Sequence, residues 1–534
     1  MPAADLPALV RGLLDPAAYP HATEQIRLIE THISWVFLTG PFAYKLKKPV
    51  DLGFLDFTSL AERRRLCAEE VRVSGRFAPG LYVAAVPITG TPAAPRVDGP
   101  GEPLEWAVKL VQFDDADRLD ARFAAGQLTA ADCTRLGAEI AAIEEGLAVA
   151  RPDDGWGAPE SVRAAAAILL DQIRTLRPDA RPRADRIGGW LEARLATLAD
   201  VIARRIAAGR VRECHGDLHL SNIVLHDGRM TPFDAIEFSP SLRWIDVAND
   251  VAFLSMDLES RDRPDLAAQV RSGWIEAADD HDATRVLPVY EVYRAVVRAA
   301  VAALRGDRDD PPGSACAKTD RYLDLAERLM APPPPVLYAT SGVSGSGKTT
   351  LAAAVVGAAG AVRVRSDVER KRLAGMAPTD RPADEPHAQT LYDEAATRRV
   401  YDRLAALART MLEAGTTVVV DAACNRRWQR DVIAAAARDA KAPLVWLDFE
   451  LPAEELLARV AARAAAGSDA SDASAAVVRA QLAGREPLTA AEIAASGPAV
   501  RRIAVTGREL ADAGLAARVV NGPEPAPAGA APPP

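Results

Sequence analysis

Cysteine is sparse and unpaired in this chain of 534 residues: Cys67, Cys133, Cys214, Cys316 and Cys424 are scattered, odd in number and free of any C-x-x-C spacing. That pattern argues against a disulfide framework or a zinc site and points to a reducing, cytoplasmic compartment. No uninterrupted apolar run reaches the roughly 18 residues of a membrane span. The first residues, MPAADLPALVRGLLDP, carry acids and prolines where a secretion signal needs a basic start and an apolar core. A basic surplus is missing as well. The 64 Lys and Arg residues face 73 Asp and Glu for a net charge of −9, which argues against a nucleic-acid partner. Lysine itself is rare. Of its eight copies, Lys45, Lys47 and Lys48 cluster and Lys348 lies in a glycine-rich run, places where a compact ammonium is wanted, while Lys48 and Lys441 read as chance. No G-x-G-x-x-G occurs anywhere.

What the chain does have is the run HGDLHLSN at 215–222, which sets Asp217 and Asn222 five residues apart behind a His-Gly turn. Phosphoryl transfer from ATP to a hydroxyl needs one carboxylate to orient the nucleophile and accept its proton, and a side-chain oxygen to hold Mg²⁺. Asp217 and Asn222 fit those two roles. Their spacing is that of the protein-kinase catalytic loop, H-R-D-x-x-x-x-N, with Gly216 in place of the arginine. Asp234, in TPFDAIEF, ends an apolar stretch and offers a second carboxylate to the metal.

A second nucleotide signature follows the apolar stretch VLYAT: residues 342–349 fit G-x-x-x-x-G-K-[ST] without a mismatch. Backbone N–H groups across Gly342, Ser344, Gly345, Ser346 and Gly347 would turn toward the β- and γ-phosphates. Lys348 supplies a point charge, Thr349 offers a hydroxyl to Mg²⁺, and Thr350 opens the following helix TTLAAAVVGAA. The chain thus carries two unrelated candidate ATP sites.

At about 150 residues per domain, three or so structural units are expected. The polyproline stretch APPPPV marks a spacer at 331–335, between a region 1–330 and a region 336–522, and the tail 523–534 has too little apolar content for a core. Within the first region, 25–113 reads as a small sheet with one inserted helix, SLAERRRLCAEEVRVSGRF, and 114–330 as a mostly helical lobe. HISWVFLTG and FAYKLKKPV pair around Gly40-Pro41, followed by LYVAAVPITG and EWAVKLVQF. The second region alternates strands (VLYATSG, AVRVRSD, TTVVVDAA, PLVWLDFE, RRIAVTG) with helices across 387–414, 426–440, 453–465 and 474–483. Such alternation predicts a parallel, doubly wound α/β sheet with nucleotide at the strand C-termini. Each region has its own apolar periodicity, so cutting within Ala331–Pro335 is expected to give two separately folding modules.

HGDLHLSNIVL, TPFDAIEF and RWIDVANDVAFL together resemble the aminoglycoside phosphotransferase-like kinases, which implies an α+β bilobal protein-kinase-like fold acting on small molecules. Carried over, Asp217 is the catalytic base, Asn222 and Asp234 are Mg²⁺ ligands, and Asp246 and Asp250 are structural. FAYK resembles the V-A-I-K strand, nominating Lys45 for the α- and β-phosphates, with Lys47 on the same strand face as its rival. Glu70, or its neighbour Glu69, would pair with that lysine, and backbone at Gln112 and Phe113 would meet the adenine. Phosphate cover falls to the LTGPF turn with its single Gly40. The competing reading of the two lysines is an exposed sheet face. His215 reads as a prop for the loop, and His219 as solvent-facing or near the phosphates.

The second region resembles P-loop small-molecule kinases of the gluconate kinase and shikimate kinase type and, more distantly, zeta-toxin-like kinases. That resemblance implies that Asp367, in VRVRSDVERKRL, orients the acceptor hydroxyl. Arg365 or Arg370 would hold an anionic acceptor, and Asp421, at the end of TTVVVDAAC, suits Mg²⁺-bound water or the acceptor. Arg459 and Arg463 lie a helical turn apart before GSDASDAS and read as a lid closing on the phosphoryl group. For Asp367 and Asp421 the competing reading is helix capping. For the two arginines it is an exposed helix face.

The whole resembles bacterial fusions of the two kinase types. The resemblance implies an ATP- and Mg²⁺-dependent phosphotransferase with two nucleotide sites, acting on a small hydroxylated substrate such as a sugar or aminoglycoside-like compound. One rival is a regulatory protein in which one ATP site senses nucleotide for the other. A second is a P-loop ATPase that remodels a partner without a small-molecule acceptor.

Overall fold

The computed structural model describes residues 6–51, 56–307, 311, 313–377, 380, 390–466, 475–495, 499–510, 512 and 514–521. The 467–474 run and the 523–534 tail lie outside them. Packing divides the chain into two units, one of residues 1–129, 139–257 and 293–306, the other of 130–138, 258–292 and 307–534.

The first unit has an α+β arrangement, an antiparallel sheet lobe followed by a mostly helical lobe. Its sheet is antiparallel, built from β1 (Arg27–Glu30), β2 (Ser34–Leu38), β3 (Phe42–Lys47), β4 (Tyr82–Thr91), β5 (Ala94–Val97) and β6 (Glu105–Val111) in the order β1-β2-β3-β6-β4-β5. Side chains alternate between faces along a strand. Tyr44 and Leu46 of β3 therefore join the cluster with Val10, Leu13 and Tyr19, while Ala43 joins Cys67, Val108 and Leu110 under the helix Leu60–Phe77. Lys45 and Lys47 share the face of Ala43. Ser59 caps that helix by accepting from Glu62 N at 3.1 Å. The edge strands β1 and β5 are additions to the sequence reading. Both are four residues long, too short for alternation to stand out.

Below the sheet, β7 (Val211–Glu213) pairs with β10 (Trp244–Asp246), and β8 (Ile223–His226) forms a hairpin with β9 (Arg229–Pro232). Asp227 and Gly228 have φ of 49° and 75°, which makes the tight turn that an Asp-Gly pair favours. This hairpin returns the chain so that Phe233 N donates to Asn222 O at 2.8 Å, bringing Asn222 and Asp234 side by side.

The second unit is a parallel, doubly wound α/β structure of β11 (Leu337–Ser341), β12 (Val362–Arg365), β13 (Val418–Asp421), β14 (Leu444–Phe449) and β15 (Val500–Val505), ordered β12-β13-β11-β14-β15. All five strands and the helices after them fall where the sequence patterning puts them. Residues 387–389 of one expected helix lie outside the described residues, and the helix there runs Glu394–Glu413.

The packing boundary is elsewhere than the proline stretch at 331–335. The helix Pro264–Ala278 belongs to the second unit, where Ala268 is buried in one core with Tyr338, Leu351, Val355 and Val419. Gln269 Nε2 donates to Ala353 O at 2.8 Å, and Ser272 Oγ accepts from Arg363 N at 3.0 Å, satisfying an N–H of the edge strand β12. Prolines end a helix locally. They say nothing about which surface an upstream helix covers.

Candidate functional site

In the first unit the HGD loop leaves β7 and is held by the helix Val247–Glu259. Asp250 accepts from His215 N at 2.8 Å and Gly216 N at 2.9 Å, and Asp257 accepts from Leu220 N at 3.2 Å. Arg294 donates to Gly216 O at 2.9 Å. Asp246 forms a buried pair with Arg205 at 2.7 Å. His215 is fully buried. Its Nε2 bonds Phe233 O at 2.8 Å while Nδ1 accepts from Asp217 N at 3.3 Å, and burial pushes its pKa down, all consistent with a neutral prop. Of the two readings of His219, the solvent-facing one does not hold. The imidazole is buried against Phe253 with Nε2 3.4 Å from Asp217 Oδ2, because Leu220 and the Phe253 ring hold that side of the loop inward.

Asn222 Nδ2 donates to Asp217 O at 3.0 Å and to Asp217 Oδ2 at 3.1 Å. Burial would raise the Asp217 pKa, but His219 and Arg298 outweigh it and hold the carboxyl well below the usual range. Asp234 sits in the left-handed region at φ 62°, a conformation that Asp tolerates better than most residues. Its N–H is bonded to the Tyr82 hydroxyl at 2.8 Å, while Ala235 N finds Ser74 Oγ at 3.1 Å.

Both lysines of β3 meet Glu70. Lys45 Nζ donates to Glu70 Oε1 at 2.9 Å and also to Asp234, whereas Lys47 Nζ donates to Glu70 Oε2 at 2.6 Å and also to Glu237. Burial opposes both charges, yet the surrounding carboxylates hold both lysines above their ordinary pKa. Lys47 is 1% exposed and Lys45 15%, so Lys45 is the one on the open side. Glu69 instead pairs with Arg72 and Arg243. Gln112 and Phe113 follow β6. Gln112 Oε1 accepts from Gly40 N at 3.0 Å, and the Phe113 ring meets Phe233 edge-on at 5.0 Å in an apolar cluster with Leu38 and Val224. Glu237, Tyr82, Asp257 and Arg294 are additions to the sequence reading.

In the second unit the strand C-termini open on a cleft of about 960 Å³. Ser344, Gly345, Gly347, Lys348, Thr349, Thr350, Asp367, Asp421 and Arg459 all line it, together with Arg365 and Arg370. The phosphate loop is tight. A Cβ on Gly342 would lie 2.8 Å from Phe449 Cβ, and one on Gly345 2.8 Å from Val460 Cγ2, in addition to their positive φ. Ser346 is buried, with no hydrogen-bond partner for Oγ among the described residues. Lys348 Nζ bonds Val343 O at 2.7 Å. Asp421 closes β13 and takes a hydrogen bond from the Thr349 side chain. Burial raises its pKa, against the pull of Arg363, Lys348 and Thr349.

Neither acid caps a helix. The helix Ser366–Leu373 has Arg365 at its N-cap with Asp367 inside the first turn, and the helix Arg427–Asp439 begins well after Asp421 with Arg426 at its N-cap. Arg459 is about a third exposed and bonds Glu455 at 2.6 Å, while the Arg463 side chain lies outside the described residues.

The two arginines left open by the sequence differ. Arg365 is paired bidentately with Glu276, at 2.7 and 2.5 Å. Arg370 is 8% exposed and, among the described residues, bonds only neutral oxygens, Leu391 O at 3.0 Å and Thr397 Oγ1 at 3.3 Å, with its guanidinium over the Tyr392 ring and no partner there for Nε. Asn425 Oδ1, also buried and on the cleft wall, likewise has no partner among the described residues. Gln481 reaches the phosphate loop from the helix Ala475–Ala483, its Oε1 accepting from Ser344 N at 2.7 Å.

Residues 337–488 match the AAA domain family. An uncharacterized protein of Mycobacterium tuberculosis is 29% identical over 498 residues, covering 91% of this chain and 96% of the relative. A solved choline/ethanolamine kinase family protein from Mesorhizobium loti aligns with a TM-score of 0.36 at 13% identity, over 58% of this chain and 90% of its own. A sugar kinase from Janibacter sp. aligns with a TM-score of 0.25 at 21% identity, over 35% and 91%. The matched family segment, 337–488, holds the phosphate loop and four of the five strands of the second unit. Among the described residues no helix is long and apolar enough to cross a membrane.

Proposed function

We propose that this protein is an ATP- and Mg²⁺-dependent phosphotransferase with two nucleotide sites, each serving a hydroxyl of a small molecule. The observation that carries the reading is the convergence of Lys348, Thr349, Asp421, Asp367, Arg370 and Arg459 on one cleft at the strand C-termini. The hard oxygens of Thr349 and Asp421, already bonded to each other, suit Mg²⁺, as do Asp234 and the amide oxygen of Asn222. Mg²⁺, when bound, neutralises charge on the transferring phosphoryl group.

In the second unit, Lys348 and the loop amides hold the β- and γ-phosphates, and Arg459, on the same cleft, meets the transferring phosphoryl group. Asp367 accepts the proton of the acceptor hydroxyl. Arg370, a buried guanidinium with no acidic partner among the described residues, favours an acceptor that carries an anionic group. In the first unit, Asp217 orients and deprotonates the acceptor. Lys45, fixed by Glu70, meets the α- and β-phosphates, and the apolar cluster around Phe113 receives the base.

A panel of sugars, aminoglycosides, nucleosides and their phosphorylated or carboxylated derivatives, incubated with labelled ATP and Mg²⁺, tests the reading. Transfer of label to at least one small acceptor is expected. ADP release that needs a protein partner and no small acceptor would overturn it.

A further inference from the structure

The cleft of the P-loop unit contains a cation, Arg365, whose ion pair comes from outside the sheet. Arg365 ends β12, in register with Asp421 on the neighbouring parallel strand, so the two side chains leave the same face of the sheet. It lines the same cleft as Asp367 and Asp421, and both carboxylates lie near enough to favour its charge. Left to itself, a guanidinium there would take the bidentate geometry that carboxylates invite and occupy the oxygens that Mg²⁺ and the acceptor hydroxyl require.

Arg365 is turned away by Glu276. The carboxylate sits at the end of the helix Pro264–Ala278, in the stretch between the HGD motif and the proline spacer, and receives Arg365 Nε at 2.7 Å and Nη2 at 2.5 Å. The helix is firmly seated on the P-loop sheet by buried Ala268, by Gln269 on Ala353 O and by Ser272 on Arg363 N. Its end is pinned too, since Arg372 donates to Glu276 O at 2.6 Å and Arg403 to Asp279 at 3.0 Å.

On the reading that this cleft takes Mg²⁺–ATP, we propose that Glu276 is a positioning residue of the P-loop site, holding Arg365 off Asp367 and Asp421 so that those carboxylates stay free for the metal and the acceptor. A segment far upstream of the phosphate loop thereby sets the charge of its cleft.

The test uses the full chain carrying Lys45→Met, so that the first site does not report. The readout is the Mg²⁺ dependence of binding of a non-hydrolysable ATP analogue, measured by calorimetry. Glu276→Gln should raise the Mg²⁺ concentration for half-maximal binding on the order of tenfold, the scale of one charge-assisted pair in competition. Arg365→Gln alone should keep the parent dependence. The double variant Glu276→Gln with Arg365→Gln should restore it, which a purely structural loss at Glu276 would not do. An unchanged Mg²⁺ dependence in Glu276→Gln, or a double variant no better than Glu276→Gln, overturns the proposal. So does an Arg365→Gln variant as weak as Glu276→Gln. A parent with no Mg²⁺-dependent binding overturns the nucleotide reading itself, and this inference with it.

Discussion

Lys45 and Glu70 meet at 2.9 Å, joining the third strand of the first sheet to the helix packed on it. The same carboxylate holds Lys47 with its other oxygen, so one acid serves two lysines with different surroundings. Lys47 is enclosed with Glu237, whereas Lys45 turns toward Asp234. Lys47→Met should therefore act on stability. Removing one partner from a buried ion pair costs about 3–5 kcal/mol, readable as a drop in the unfolding midpoint. Lys45→Met should act on ATP affinity in the first unit, with a smaller change in stability. The reverse assignment in calorimetry and nucleotide titration would exchange the two roles.

Asp217→Asn should leave nucleotide binding by the first unit largely intact and lower phosphoryl transfer there by about 10²–10⁴, the usual loss of a general base. Since His219 and Arg298 overcome burial to hold the carboxyl below its ordinary range, Asp217 stays ionised as the pH falls through that range. The pH–rate profile should therefore show no acid limb from this residue at or above the ordinary carboxylate range. A limb there that vanishes in Asp217→Asn would contradict the assignment.

Glu213 gives a stability prediction with a defined pH window. Burial raises its pKa, but bonds from Arg72 and Arg243, with Arg76 nearby, prevail and bring it from 4.5 to about 2. A depressed folded-state pKa means stability that is fully present above 4.5 and lost as the pH falls toward 2. With Arg72 half exposed and solvent screening part of the interaction, the contribution is on the order of 1–2 kcal/mol. Glu213→Gln should lower stability at neutral pH by that order and flatten the acid limb of denaturant-unfolding free energy between those values. Parallel acid limbs for the variant and the parent would refute it.

The course of the glycine-rich loop was legible because its signal is contiguous: eight residues, a strand before and a helix after. The HGD loop was legible for the same reason, down to His215 as a prop. What supports it was not, since Asp257, Arg294 and Tyr82 act across long sequence separations with no periodicity to announce them. The β8–β9 hairpin that brings Asn222 to Asp234 did carry a signal, the Asp227-Gly228 pair, which turn chemistry alone would have read. The division into packed units was the least legible feature. Ala268 and Gln269 look like any amphipathic helix until the sheet they cover is seen.

That division bears on the expectation of two modules separable at 331–335. Residues 336–522 expressed alone would expose the surface covered by Ala268, Gln269 and Ser272, and leave Arg363 N without its Ser272 partner. The fragment should be poorly soluble or lack a cooperative transition, whereas the same cut at 331–335 in the folded chain should leave both pieces associated on a sizing column. A soluble 336–522 fragment that melts cooperatively on its own would show that the helix Pro264–Ala278 is dispensable.

The most direct test of two nucleotide sites is the stoichiometry of a non-hydrolysable ATP analogue bound to the full chain in the presence of Mg²⁺. Two equivalents per chain are predicted, falling to one in Lys348→Ala and to one in Lys45→Met, with the remaining site unchanged in affinity in each. A single equivalent in the parent, lost in one variant and untouched by the other, would contradict the account.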